Sequence, residues 1–224
     1  VLTGFPATLR GLWELQLRPG RLLIDFTAAA GEGAALVNAA LAAGIGLVLV
    51  PLSRVRLSGP TVAGVLTILG FGLFGKTPMN ILPILLGVFV SARLARRRFN
   101  EYLLIAMFGT ALGPLVTMLA VETIASPALG LLIGVAGGVA AGMLLPPLAL
   151  VMLRLHQGFS LYNIGLTAGF LGLLVAAVVS GARGALEMQE LWNANPSPVL
   201  RLMIPVLCGM CIAGGTALAP RAAW

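Results

Sequence analysis

The chain has 224 residues, of which 59% are hydrophobic and 9% charged, and its mean hydropathy is +1.03. Several apolar runs approach the roughly 20 residues that cross a ~30 Å hydrocarbon core, which predicts an all-α protein with several transmembrane helices. The net charge of +7 comes almost entirely from arginines between the apolar runs, where such residues orient a membrane protein, so we expect no nucleic-acid partner.

The amino-terminal segment, residues 1–33, mixes arginines and acidic residues with Trp13, and it predicts an interfacial helix and linker rather than a span. The chain begins at Val1 without a readable secretory signal, which predicts a fragment or a processed form. Membrane spans are then predicted, in chain order, over residues 34–52, 103–121, 128–153, 160–179 and 198–218.

The apolar run 61–92 lies between the first two of these spans and is interrupted by the polar stretch "KTPMN". As one helix it would be about 48 Å long, too long for the bilayer core, so a break is expected over residues 75–78. The two arms, about 15 residues each, are too short to cross alone and are typical of half-helices or a re-entrant hairpin. One broken span is the alternative, and the lengths favour the hairpin.

Two pairs of segments indicate an internal repeat. "NAALAAGIGLVLV" from Asn38 is similar to "NIGLTAGFLGLLV" from Asn163, and "TPMNILPILLG" from Thr77 is similar to "SPVLRLMIPVLCG" from Ser197. We therefore predict a first membrane repeat at residues 34–156 and an incomplete second one at 157–224. With a hairpin at 61–92 the two asparagine helices run in opposite directions, as in inverted-repeat transporters.

Four segments together carry a family resemblance: "GEGAALVNAAL", "GFGLFGKTPMNILPILLGVFV", "FGTALGPLV" and "HQGFSLYNIGLTAGFLG". They resemble a family of bacterial membrane proteins catalogued as domain of unknown function 1576, over about residues 31–181. The resemblance implies a multi-span membrane fold with internal duplication, and it transfers no activity and no catalytic residue.

The polar break supplies the first candidate site residues. Thr77 is a suitable N-cap and Pro78 suits the first position of a helix, whose amides would attract an anion or a polar solute beside Lys76. Asn80 adds an amide, and the second copy offers Ser197 and Arg201 in a similar setting. The alternative is that Lys76 reaches an interface and the proline only turns a loop.

The repeated asparagines are the second group of candidates. Asn38 and Asn163, the latter with Tyr162 and Thr167 nearby, must each find a hydrogen-bond partner in an apolar setting. Holding helices together is the commoner role for such residues, and lining a solute site is the alternative. His156, in the loop after a span, is expected to be solvated.

A row of glycines at positions 130, 134, 138 and 142 predicts a helix face that packs closely. Packing inside the subunit is favoured over the alternative, an interface in a homo-oligomer. Cys208 and Cys211 have the spacing of a redox pair, but their apolar setting favours a packing role.

No catalytic, metal or cofactor motif is present in the sequence, so we expect no enzyme and no cofactor. The leading hypothesis is a multi-pass protein of the bacterial inner membrane that transports a small polar or anionic solute, as a carrier or a channel. The alternative is a non-transporting membrane scaffold or assembly subunit whose polar residues only join helices. The lipid bilayer is the partner in either case.

Overall fold

The computed structural model describes residues 4–18, 23–122, 126–160, 162–183 and 190–218. These residues form the helices α1 Phe5–Gln16, α2 Phe26–Ala30, α3 Glu32–Leu52, α4 Gly59–Phe71, α5 Pro78–Leu94, α6 Leu103–Gly109, α7 Gly113–Glu122, α8 Pro127–His156, α9 Asn163–Arg183 and α10 Pro198–Leu218. Short 3-10 helices occupy Phe99–Tyr102 and Thr110–Leu112. Two strands, β1 Leu23–Ile24 and β2 Glu190–Leu191, pair in parallel, with Leu23 opposite Glu190. The fold is all-helical apart from this pairing.

Five described segments are long and apolar enough to cross a bilayer, and they match the five predicted spans. They are Glu32–Leu52, Phe99–Val121, Pro127–His156, Asn163–Gly181 and Pro198–Ala217. The interrupted region is confirmed as two shorter apolar helices, α4 of 13 residues and α5 of 17. The break is longer than expected, because α4 already ends at Phe71 instead of continuing to Phe74.

The chain divides into two units, one of residues Leu2–Trp192 and one that contains α10. The larger unit is built around α8, which packs against α5 and α7. Its core includes Ile84, Met107 and Leu145, all fully buried.

The glycine row of α8 packs inside this unit, as the sequence predicted. A methyl group on Gly142 would overlap the Ile84 carbonyl, and Gly87 of α5 lies directly beside it. Gly134 and Gly138 lie against Val116 in the same way. Because only hydrogen occupies these positions, the backbones of α5, α7 and α8 approach one another closely.

The contacts of α4 and α5 fix their directions relative to the segment Phe99–Val121. Gly64 of α4 lies against Met107, and Gly75 of the break lies against Pro114. The stretch from α4 to the break therefore runs parallel to Phe99–Val121. In α5 the order reverses. Asn80 lies against Gly113, whereas Phe89 packs edge-on against Phe99. The chain therefore runs toward the middle of Phe99–Val121 in α4 and back toward its start in α5.

Candidate functional site

The candidate site is the break between α4 and α5, residues 72–77. Gly75 adopts a φ of +136°, a backbone conformation that side chains disfavour, and this turns the chain between the two helices. Thr77 is the N-cap of α5 and Pro78 is its first residue, as the sequence predicted. The sequence thus builds a sharp turn followed directly by a well-defined helix start.

Asn38 of α3 joins the break and α1 through the two ends of its side-chain amide. Its Nδ2 donates to the carbonyls of Gly72 at 2.7 Å and Lys76 at 2.8 Å. Its Oδ1 accepts a hydrogen bond from Gln16 Nε2 at 3.2 Å. Asn38 is fully buried, so these bonds satisfy an amide that would otherwise be costly in an apolar interior.

Asn80 closes the break from the other side. Its Nδ2 donates to the Gly75 carbonyl at 2.8 Å, and its Oδ1 accepts from the Thr77 amide at 2.9 Å. The Thr77 hydroxyl in turn accepts from the backbone amide of Asn80 at 3.3 Å, which completes a capping box. The backbone amide of Met79, the second residue of α5, donates to Gln16 Oε1 at 3.4 Å. The first amides of α5 are therefore bonded within the protein, whereas the sequence suggested that they would be free.

The Lys76 side chain is buried beneath this frame and is 1% exposed. Its Nζ donates to the Thr110 hydroxyl at 2.9 Å and lies 5.0 Å from the centre of the Phe71 ring. The Thr110 hydroxyl donates onward to the Met107 carbonyl at 2.6 Å. Within the described residues no carboxylate pairs with Lys76. An amino group that carries a positive charge when protonated is thus enclosed with one hydroxyl and one aromatic face.

Thr110 gives the depth of this lysine relative to the neighbouring segment. It is the central residue of the 23-residue apolar segment Phe99–Val121, about 16 Å along the axis from either end. The helix is interrupted at this point by the 3-10 turn Thr110–Leu112. Two broken helical segments therefore meet at Lys76.

The second asparagine lies in a different setting. Asn163 is the first residue of α9 and is half-buried. Its Nδ2 donates to the Ala149 carbonyl at 3.0 Å, and its Oδ1 lies 2.9 Å from His156 Nε2. Thr167 is buried and donates to the Asn163 carbonyl at 2.7 Å, whereas Tyr162 is 77% exposed. Asn163 therefore joins α8 to the start of α9.

His156 differs from its expected role as a solvated loop residue. It ends α8, is half-buried, and its Nδ1 also accepts from the amides of Gly158 and Ser160 at 3.2 and 3.3 Å. The imidazole therefore organises the tight turn between α8 and α9, because it supplies the acceptor that this turn's backbone needs.

The last two predicted site residues belong to the unit that contains α10. The helix begins at Pro198 as predicted, and the Ser197 hydroxyl accepts from the Leu200 amide at 3.3 Å. Arg201 is exposed in the first turn. The helix continues for 21 residues through Pro205, so it has the length of a full span. Cys208 and Cys211 on it are free and exposed.

A cavity of about 330 Å³ lies between α7 and α9, close to the break. Its walls are apolar and include Leu112, Pro114, Met118, Ala168 and Gly172. Pro114 also packs near Gly75, since a methyl group added to Gly75 would lie 3.3 Å from the Cγ atom of Pro114. The cavity thus approaches the break from the side of α9, and Lys76 does not line it.

Three contributors to the site were not singled out from the sequence, namely Gln16, Phe71 and Thr110. A signal was present for Thr110, because glycines and a proline surround it in "FGTALGP" and interrupt an apolar run. Gln16 gave none, since its partners at the site, Asn38 and Met79, are remote in the chain. Within the described ranges no group of three or more His, Cys, Asp or Glu residues could hold a metal ion.

The apolar segments and the helical fold define the chain as a multi-pass membrane protein. The family model described as "Protein of unknown function (DUF1576)" matches residues 6–181, so the chain belongs to that family. The matched region includes Asn38, the break with Lys76, and the turn between α8 and α9. No curated protein and no solved structure matches the chain.

Proposed function

We propose that this protein transports a small polar or anionic solute across the membrane, as a carrier or a channel, with Lys76 at its central site. The observation that carries the proposal is the burial of Lys76 without a carboxylate partner among the described residues, next to the central residue of an apolar segment. Ionisable residues at membrane depth are costly and are retained mainly for ion or solute pathways.

The membrane arrangement that fits this proposal is a re-entrant hairpin formed by α4 and α5. One cleft, called the arginine cleft below, lies among the end of α3, the end of α5 and the start of Phe99–Val121. It is lined by Leu49, Leu52, Ser53, Arg54, Phe89, Arg93, Arg98, Phe99 and Asn100. α4 follows α3 after a short connection, so the segment 59–94 would enter and leave on the same face. Arginines near the ends of spans favour the cytoplasmic side of a membrane, so we propose that this face is the cytoplasmic face of the cell membrane.

Irregular backbone at membrane depth is tolerated only where protein or a watery cavity shelters it. In a hairpin, the break and Lys76 would lie near the bilayer centre, where half-helix ends form the solute sites of many transporters. Under this proposal α3 and α9 cross in opposite directions, as the predicted inverted repeat requires. We also propose no enzymatic activity, as we expected from a sequence without a catalytic motif.

A non-transporting scaffold is the second candidate, and one observation favours it. The polar groups of Asn38, Asn80 and Thr77 all have partners inside the protein. They brace the break, and none of them needs a solute to satisfy its hydrogen bonds. Under this alternative Lys76 would only join α5 to the Thr110 turn.

The test is a flux assay on the full chain reconstituted into proteoliposomes, with small anions, amides and amino acids as separate solutes. We expect transport of at least one solute class, and a loss of at least about tenfold in Lys76→Met, because the methionine has a similar volume without the amino group. Arg56→Gln, which removes an exposed cation elsewhere, is the control and should transport normally. Absence of flux for every solute, with Lys76→Met folded, would favour the scaffold.

A further inference from the structure

We propose that the arginine cleft binds the headgroup of an anionic phospholipid. The cleft has a volume of about 530 Å³ and lies among the ends of α3 and α5 and the start of the segment Phe99–Val121. This inference is independent of transport, since no residue of the break lines the cleft.

The charge of the cleft is uncompensated. Arg54, Arg93 and Arg98 line it, and no acidic residue does. The nearby carboxylate of Glu101 pairs with the Arg97 side chain at 3.8 Å and accepts from the Arg98 backbone amide at 3.4 Å. None of the three cleft arginines forms a side-chain ion pair within the described residues. Guanidinium groups suit the oxygens of a phosphate because they offer several donors in one plane.

Besides the arginines and the polar residues Ser53 and Asn100, the lining is apolar, and this apolar part favours a lipid over a soluble phosphate. Leu49, Leu52, Phe89 and Phe99 line the cleft near the ends of membrane segments, where acyl chains would begin. The guanidinium of Arg93 lies 4.8 Å from the centre of the Phe89 ring, so this arginine is already positioned without a ligand. A charged end and an apolar wall together match an amphipathic molecule.

The backbone at Arg54 offers a way to test the cleft. Its φ is +55°, a left-handed conformation that usually belongs to glycine after a helix, and the following amide bonds back to Val50 at 3.2 Å. Placing arginine there costs stability relative to glycine. Arg96 has the same geometry after α5, with a φ of +54° and the Arg97 amide bonded to Ala92 at 2.9 Å, yet it does not line the cleft.

These two positions provide a matched pair of variants, Arg54→Gly and Arg96→Gly. Each change removes one positive charge at an exposed helix end, and each introduces the residue that the backbone conformation prefers, so both variants should fold. Only Arg54→Gly removes a cation from the cleft. Native mass spectrometry of the full chain in neutral detergent would count bound lipids as phosphatidylglycerol or phosphatidylcholine is added.

We expect one saturable phosphatidylglycerol site, with phosphatidylcholine bound at least about tenfold more weakly. Arg54→Gly should weaken phosphatidylglycerol binding by about tenfold, as expected for loss of a charge-assisted hydrogen bond, and Arg96→Gly by about twofold or less. Equal weakening in both variants would overturn the cleft in favour of diffuse surface charge. Displacement of the lipid by glycerol phosphate or inorganic phosphate at similar concentrations would overturn the lipid as the occupant.

Discussion

Asn38 and Asn163 begin similar local sequences, yet the structure places them in different environments. Asn38 lies inside α3, fully buried, and joins α1, α3 and the break. Asn163 begins α9, half-buried, and joins only the neighbouring helix end. The comparison teaches that two similar local sequences can supply the same hydrogen-bonding group, whereas the partners of that group are set by what packs against it.

The same substitution at both positions should separate these environments most strongly. Asn38→Leu removes the partner of the Gly72 and Lys76 carbonyls and of Gln16 Nε2, so we expect a loss of about 3–5 kcal/mol in the free energy of unfolding. Unfolding of the purified chain in mixed detergent and denaturant measures it. A loss of less than about 1 kcal/mol would mean that Asn38 does not hold the break.

Lys76→Met should change stability in the opposite direction. The methionine fills a similar volume and removes an amino group that has no carboxylate partner in the described structure, so we expect a gain of about 1–3 kcal/mol. The same unfolding measurement checks it, together with the flux assay above. A clear loss of stability would instead indicate a purely structural lysine and would support the scaffold.

Thr110→Val tests the partner of that lysine. The valine keeps the shape but removes the hydroxyl that accepts from Lys76 Nζ, so we expect a loss of about 1–2 kcal/mol. Thr110→Ser keeps the hydroxyl and is the control, with a smaller loss from the missing methyl group. If Lys76→Met abolishes the difference between the valine and serine variants, the two residues are directly coupled.

Asn163→Leu should have the smallest effect, a loss of about 1 kcal/mol. Its site is half-buried, so water can replace part of the lost hydrogen bonding to His156 and Ala149. The unfolding assay used for Asn38→Leu gives the direct comparison. An equal loss in the two leucine variants would mean that the fully buried Asn38 and the half-buried Asn163 contribute equally, contrary to the expected difference.

Much of the fold could be predicted because it depends on local composition. The span positions follow from the lengths of apolar runs, and the starts of α5 and α10 follow from a hydroxyl residue before a proline. Part of the candidate site was also predictable. A lysine, a threonine and an asparagine inside an apolar run indicated a break. The predicted break was too short, because α4 ends at Phe71, earlier than expected.

The partners of these residues could not be predicted in the same way. Gln16 and Asn38 are 22 positions apart and Lys76 and Thr110 are 34 apart, and no local pattern specifies such pairs. The helix amides expected to attract an anion are instead bonded by Asn80, Thr77 and Gln16. His156 was expected to be solvated, but the tight turn after α8 gives it backbone donors.

The sequence by itself determined that this is a membrane protein with apolar helices, a forced break before α5 and a glycine face on α8. These features follow from hydrophobic length, proline and glycine chemistry, and side-chain size, all of which act locally. Only the tertiary structure decided that the break is held by Asn38, that Lys76 lies beside the centre of another apolar segment, and that three arginines share one cleft. The reason is physical, because a buried polar group takes whichever partner the packing of distant segments brings within hydrogen-bonding distance.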